Sequence, residues 1–262
     1  MQHLRHYFAE NVAHIVLQNP PQNRLSPQML DEFAHAIAAV SNSDARALVV
    51  TADGADFSFG GDIVPWVDLN ERELRTLFEG YLNAFNTFER LSIPTIAAVR
   101  GLCFGGGLEL SVRADIVFAS ENARFGHPEQ SLGIVTLLGG IYRVAEKAGR
   151  AKAMEWALTS EQVPADTMMQ YGVVNRIVAD EALEQETIAF AKRIANGPTK
   201  AHAAHKALLR LWATGGVAVA DEAMFDIAMP LFKTADVRHA LPTSVELFKA
   251  GKPRPAFDFK GE

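Results

Sequence analysis

The 262-residue chain has a single cysteine, Cys103. No intrachain disulfide and no cysteine-based zinc cluster can form from one thiol. Basic residues are the minority, 25 against 31 acidic, for a net charge of −6. That balance disfavours non-specific nucleic-acid binding, which needs a basic footprint. Long hydrophobic runs are missing too. The most apolar one, Leu132 to Tyr142, is too short to span a bilayer and carries three glycines. The N-terminus lacks the apolar stretch of a signal peptide, and Glu10 argues against a transit peptide. These absences point to a cytoplasmic protein with no membrane and no nucleic acid among its partners.

Several motifs are absent as well. There is no G-x-G-x-x-G at a first strand–helix junction, no G-x-x-x-x-G-K-[ST] and no G-x-S-x-G elbow. No H-E-x-x-H pair occurs. His127 and Glu129 form a His-x-Glu, but the P-C-x-x-C partner of the zinc deaminases is missing, so no metal is expected.

What is present is an alternation of short β-branched runs with helical patterns. Val12–Leu17, Ala47–Thr51, Thr95–Val99, Asp115–Ala119 and, more weakly, Val173–Val178 read as strands. Ser26 is placed to cap a helix that starts at Pro27, with Met29, Leu30, Phe33 and Ile37 on one face. Glu71–Leu91, Ala151–Leu158 and Glu181–Ala195 are helical in period. The pattern predicts an α/β architecture. From Gly197 onward Pro198–Trp212 and Val219–Phe232 read as helices and no strand appears. The expected organisation is an α/β core over residues 1–196 and a helical C-terminal region over 197–262. Met168, Met169, Trp156 and Trp212 read as packing residues, and Cys103 as a buried, inert thiol.

Two glycine turns echo each other. Phe59, Gly60 and Gly61 follow the strand Ala47–Thr51, and Phe104 to Gly107 follow Thr95–Val99, at a constant offset of 45 residues. The second turn opens into a helical pattern, where unsatisfied N–H groups meet the positive end of the helix dipole. Such a turn binds an anion or a developing oxyanion, although tight packing alone also calls for glycine. Glu109 lies in the first turn of that helix, and Glu129 lies 20 residues later in Phe125-Gly126-His127-Pro128-Glu129. Spacing does not show that the two glutamates meet. Two carboxyl groups in one apolar pocket would have divergent pKa values.

The run from Ile96 to Ile116, with Phe104, Gly105, Gly106, Gly107 and Glu109 at its centre, resembles the signature of the crotonase superfamily, the enoyl-CoA hydratases and isomerases. Asn23-Arg24-Leu25-Ser26 is similar to the family's N-x-L-S segment, Phe57 to Asp62 to its F-S-A-G-x-D turn, and Phe125 to Glu129 to its F-G-x-P-E segment. The likeness is collinear over nearly the whole chain. It implies a spiral of repeated ββα units followed by a helical region, assembled as a homotrimer or a dimer of trimers. It implies an acyl-CoA thioester as substrate and no separate cofactor, coenzyme A being part of the substrate. The resemblance places the oxyanion donors at the N–H groups of Gly61 and Gly106. It makes Glu129 the main acid/base and Glu109 its water-orienting partner. Phe59, Asp62, Trp66, Gly105 and Leu137 are the expected substrate contacts, and Arg24 and Lys249 the expected cations for the CoA phosphates. Thr136, Leu137 and Leu138 depart from the family's P-G-x-G-G loop, and Val64 stands where relatives often carry lysine. The segment Gln130–Gly140 holds no acid, which favours hydration over the family reactions that use an aspartate there.

Overall fold

The computed structural model describes all 262 residues, Met1–Glu262. β1 (Leu4–Ala9) and β2 (Val12–Leu17) form an antiparallel hairpin turned at Glu10 and Asn11, both at positive φ. α1 (Pro27–Ser41) starts as the sequence implies: Ser26 Oγ accepts from Met29 N at 3.2 Å and Pro27 takes the first helical position. Its buried face is Met29, Leu30, Phe33, Ala36, Ile37 and Val40. Phe33 meets the rings of Phe85 and Phe88 edge-on at 5.9 and 5.8 Å. Burial of one such ring stabilises by roughly 1.5–3 kcal/mol.

β3 (Ala47–Ala52) leads through a glycine turn to α2 (Glu71–Glu89), which a reciprocal Asn70–Glu73 capping box opens. β4 (Thr95–Val99), β5 (Leu102–Phe104) and α3 (Gly106–Ser111) form the next unit. β6 (Ile116–Ser120), β7 (Arg124–Gly126), α4 (Gly140–Ala148) and α5 (Arg150–Thr159) form the third. β8 (Val163–Pro164), α6 (Ala165–Gln170), β9 (Arg176–Val178) and α7 (Leu183–Ala195) complete the core. The large sheet runs β1-β2-β3-β4-β6-β9 and is parallel from β2 onward. A small sheet, β5-β7-β8, forms a second layer. Each unit therefore gives one strand to the large sheet, one short segment to the second layer and then a helix, which is the expected spiral.

The 45-residue echo is structural. Ser58 bridges Cys103 in parallel, with Ser58 N donating to Leu102 O at 3.1 Å and Phe104 N to Ser58 O at 2.9 Å. The two glycine turns thus lie side by side. All the buried apolar residues lie between Leu4 and Ala195. Most join one cluster between the sheets and α1, α2 and α3; a smaller cluster lies under α7.

Beyond the core run α8 (Thr199–Ala228), broken at Gly216 (φ 76°, ψ −172°), and α9 (Ala235–Lys249). Arg46 anchors this region through Thr199 Oγ1 (2.8 Å), Gly197 O (2.6 Å) and Phe259 O (3.0 Å). Lys206 pairs with Asp115 at 2.6 Å. No helix is long and apolar enough to cross a membrane.

Four expectations are corrected. Asp115 stands before its strand, because its carboxylate accepts from Thr95 N and Oγ1 and from Lys206. Only Arg176–Val178 of Val173–Val178 is strand, since the N–H groups of Val173 and Val174 both return to Met168 O. Trp212 is exposed on α8, where no other part of the chain covers it. Met169 is exposed while its neighbour Met168 is buried, because successive helical residues point about 100° apart and α6 turns only one of the two towards the core.

Candidate active site

The two glycine turns meet at the floor of a cavity of about 340 Å³. Gly60 and Gly105 both take positive φ, 87° and 50°. A side chain at Gly60 would put Cβ 2.8 Å from Phe104 O and 2.9 Å from Gly106 N, so the close approach of the two turns demands glycine. The result is a pair of neighbouring N–H groups. Gly106 is the first residue of α3, so its N–H has no partner within the helix. Across the other turn Leu25 N donates to Gly60 O and Leu25 O accepts from Asp62 N, a pairing that leaves Gly61 N aside. Both glycines line the cavity.

Glu109 enters the cavity from the first turn of α3 and is buried. Its Oε1 accepts from Leu138 N at 2.8 Å and Gly140 N at 2.9 Å. Gly140 opens α4, so the carboxylate sits at a helix N-terminus, where negative charge is favoured. Burial still pushes Glu109 above the usual carboxylate range; the two N–H groups and the charges of Arg113 and Arg143 oppose it. Glu129 reaches the same cavity from the short turn Pro128–Leu132. Burial, assisted by the charge of Glu109, raises it to about 7, against an opposing hydrogen bond from its own backbone. The two glutamates that sequence spacing left unconnected therefore line one cavity. An acid that titrates near neutrality is suited to exchange protons in either direction.

The apolar wall is aromatic and aliphatic. Trp66, on the turn Val64–Asp68, meets Phe78 of α2 edge-on at 5.0 Å and lies against Gly61. Leu137 and Leu138 both line the cavity. Phe59 lines it beside Phe104, the rings edge-on at 5.7 Å. Arg24 lies at the same cavity, its guanidinium 5.7 Å from the Phe59 ring centre. Two expected substrate contacts are not brought there. Asp62 accepts from Val64 N at 3.2 Å and shapes the turn that carries Trp66. Lys249 is exposed at the end of α9, away from the cavity lining. Cys103 is buried as expected, its thiol pushed up to about 12.

Sequence reading missed the brace behind the site. Arg113, whose side chain is fully buried, hydrogen-bonds Leu138 O and reaches Asn86 Oδ1 (3.1 Å) and Glu89 Oε2 (3.2 Å). Arg143 grips the same Glu89 carboxylate with two bonds, at 2.7 and 2.5 Å. The loop that orients Glu109 is thereby tied to α2 and α4. The only signal in sequence was an arginine, Arg113, between the apolar residues Val112 and Ala114.

The profile of the enoyl-CoA hydratase/isomerase family matches residues 7–249. Among curated proteins, the fatty acid oxidation complex subunit alpha of Pseudomonas syringae pv. syringae is 31% identical over 185 residues, 69% of this chain. This chain spans about a quarter of the length of the curated relatives it matches, 26% in that case. Among solved structures, enoyl-CoA hydratase subunit I of Geobacillus kaustophilus is 29% identical with a TM-score of 0.89, over 99% of this chain and 98% of that one. The enoyl-CoA hydratase of Bacillus anthracis is 26% identical with a TM-score of 0.89, over the full length of both chains. With the spiral of ββα units and the paired glycine turns, these likenesses place the chain in the enoyl-CoA hydratase/isomerase family of the crotonase superfamily.

Proposed function

We propose that the protein adds water across the trans-2 double bond of an acyl-CoA thioester. One observation supports this above the others: two carboxyl groups, Glu109 buried and Glu129 largely shielded with its side chain 12% exposed, line the same cavity as the N–H pair of Gly61 and Gly106. The thioester oxygen accepts from Gly61 N and Gly106 N as the enolate forms. A preorganised pair of this kind acts where charge develops, and one donor is typically worth ~2.7–4 kcal/mol in the transition state. Water held between the glutamates attacks C3. Glu129 moves the proton that reaches C2, and Glu109, its carboxylate fixed by Leu138 and Gly140, orients the water.

The acyl chain lies against Trp66, Phe78, Leu137 and Leu138, and Arg24 meets the CoA moiety. No separate cofactor takes part. Copies of this chain cover the apolar face of α8 and α9, where Phe225 and Phe248 are 69% and 82% exposed, as a trimer or a dimer of trimers.

Incubation with straight-chain, branched and aromatic trans-2-enoyl-CoA esters tests the reaction. The proposal expects a product heavier by one water. A second reading, isomerisation with Glu129 alone shuttling the proton, is favoured by the engagement of Glu109 Oε1 with the loop. It would give a product of unchanged mass.

A further inference from the structure

Behind Glu129 lies a histidine that the reaction above does not use. His127 is 2% exposed, between β7 and the turn that carries Glu129. Its backbone oxygen accepts from Ser160 Oγ at 2.7 Å, which holds the residue but not the ring. Neither Nδ1 nor Nε2 has a hydrogen-bond partner. Buried polar atoms are nearly always paired, so an imidazole with two open nitrogens calls for an explanation. Metal binding is not it, since the chain holds no cluster of three candidate ligands. Burial pushes the imidazole down to about 4, so at neutral pH the ring is neutral, with one N–H and one lone pair.

Glu129 shows the matching gap. Its Oε2 is buried without a partner and lies 3.8 Å from His127 Nδ1. Its Oε1 faces the other way: a Cβ built on Gly105 would lie 3.1 Å from it. One carboxyl oxygen thus addresses the glycine turn and the other addresses the histidine. The ionisable group acting on Glu129 from another element is Glu109 of α3, and Arg113 and Arg143 act on Glu109.

We propose that His127 is a positioning residue for Glu129. Its Nδ1–H donates to Oε2, after a small rotation of the ring or through one bridging water, and so keeps Oε1 turned to the substrate. The neutral ring adds no charge to the site. Donation to the charged form favours ionisation, so the histidine also keeps the Glu129 carboxyl from rising further. The inference rests on the proposed role of Glu129, but its test does not need turnover.

The test is a ¹³C-NMR titration of the free protein labelled at glutamate carboxyl carbons, with Glu129→Gln identifying the resonance. His127→Leu removes the donor, and His127→Gln keeps an N–H. In His127→Leu the Glu129 proton affinity rises by about threefold or more, while in His127→Gln it stays near the wild-type value. Where turnover is measurable, His127→Leu lowers kcat with KM little changed. An unshifted Glu129 in His127→Leu, or equal shifts in both variants, overturns the proposal. Thermal unfolding checks both folds, and His127→Met replaces the leucine variant under the same criterion if that fails to fold. If no enoyl-CoA ester gains water, the hydration reading falls, and the titration still decides the role of His127.

Discussion

Glu129→Gln should stabilise the folded protein, and more so as the pH rises. The carboxyl has an ordinary value of 4.5 and is raised to about 7 in the native state, chiefly by burial. The folded form therefore holds its proton more tightly than the unfolded form. For a group raised in this way, its stabilising contribution is complete below 4.5 and is lost as the pH climbs through about 7. The accumulated cost is about 1 kcal/mol at pH 5 and about 3 kcal/mol at pH 8. Glutamine has nearly the same shape and no charge to desolvate, so it removes the pH-dependent part. At ~2–4 °C per kcal/mol for a chain of this size, the Tm gain at pH 8 should exceed that at pH 5 by about 4–8 °C. Thermal unfolding of both proteins in matched buffers measures this directly. An equal gain at both pH values, or a loss at pH 8, would refute the claim that the folded protein binds the Glu129 proton more tightly than the unfolded chain.

The other expectations concern the groups around it. Glu109→Ala strips the acceptor from Leu138 N and Gly140 N, both bonded to Oε1. It should cost about 1–3 kcal/mol for each unpaired N–H, read from urea denaturation; unchanged stability would contradict the bonding. Gly105→Ala forces a side chain into φ 50°, ψ −122°, 3.1 Å from Glu129 Oε1. It should cost about 1–3 kcal/mol and lower kcat more than it raises KM. Arg113→Met releases Leu138 O and Glu89, and amide exchange at Leu138 and Gly140 should quicken; unaltered protection would show that the brace does not hold the loop.

The parts of the fold legible in sequence are those with a strong local period. β2, β3 and β4 are covered on both faces, so they read as continuous apolar runs. α1 announced itself through Ser26, Pro27 and its apolar face. β5, β7 and β8, at two or three residues each, are too short to leave a period, yet β5 and β7 position the second glycine turn and Glu129. The 45-residue echo was visible because parallel pairing keeps Ser58 opposite Cys103. Glu109 and Glu129 were found as members of motifs, but their meeting depends on how α3 and the Pro128–Leu132 turn face each other, which no local pattern encodes. The Glu89–Arg113–Arg143 brace joins three segments far apart in sequence and was invisible for the same reason. Trp212 misled because an aromatic at helical spacing marks an apolar face without saying what covers it.

The central claim is that Glu129 carries the proton in a reaction staged beside the N–H pair of Gly61 and Gly106. The most direct measurement compares the wild type and Glu129→Gln on the preferred enoyl-CoA ester, following hydration and CoA-ester affinity side by side. The account predicts that the variant binds the ester with little change while kcat falls by ~10²–10⁴-fold. Full turnover in Glu129→Gln, with the fold intact, would contradict it.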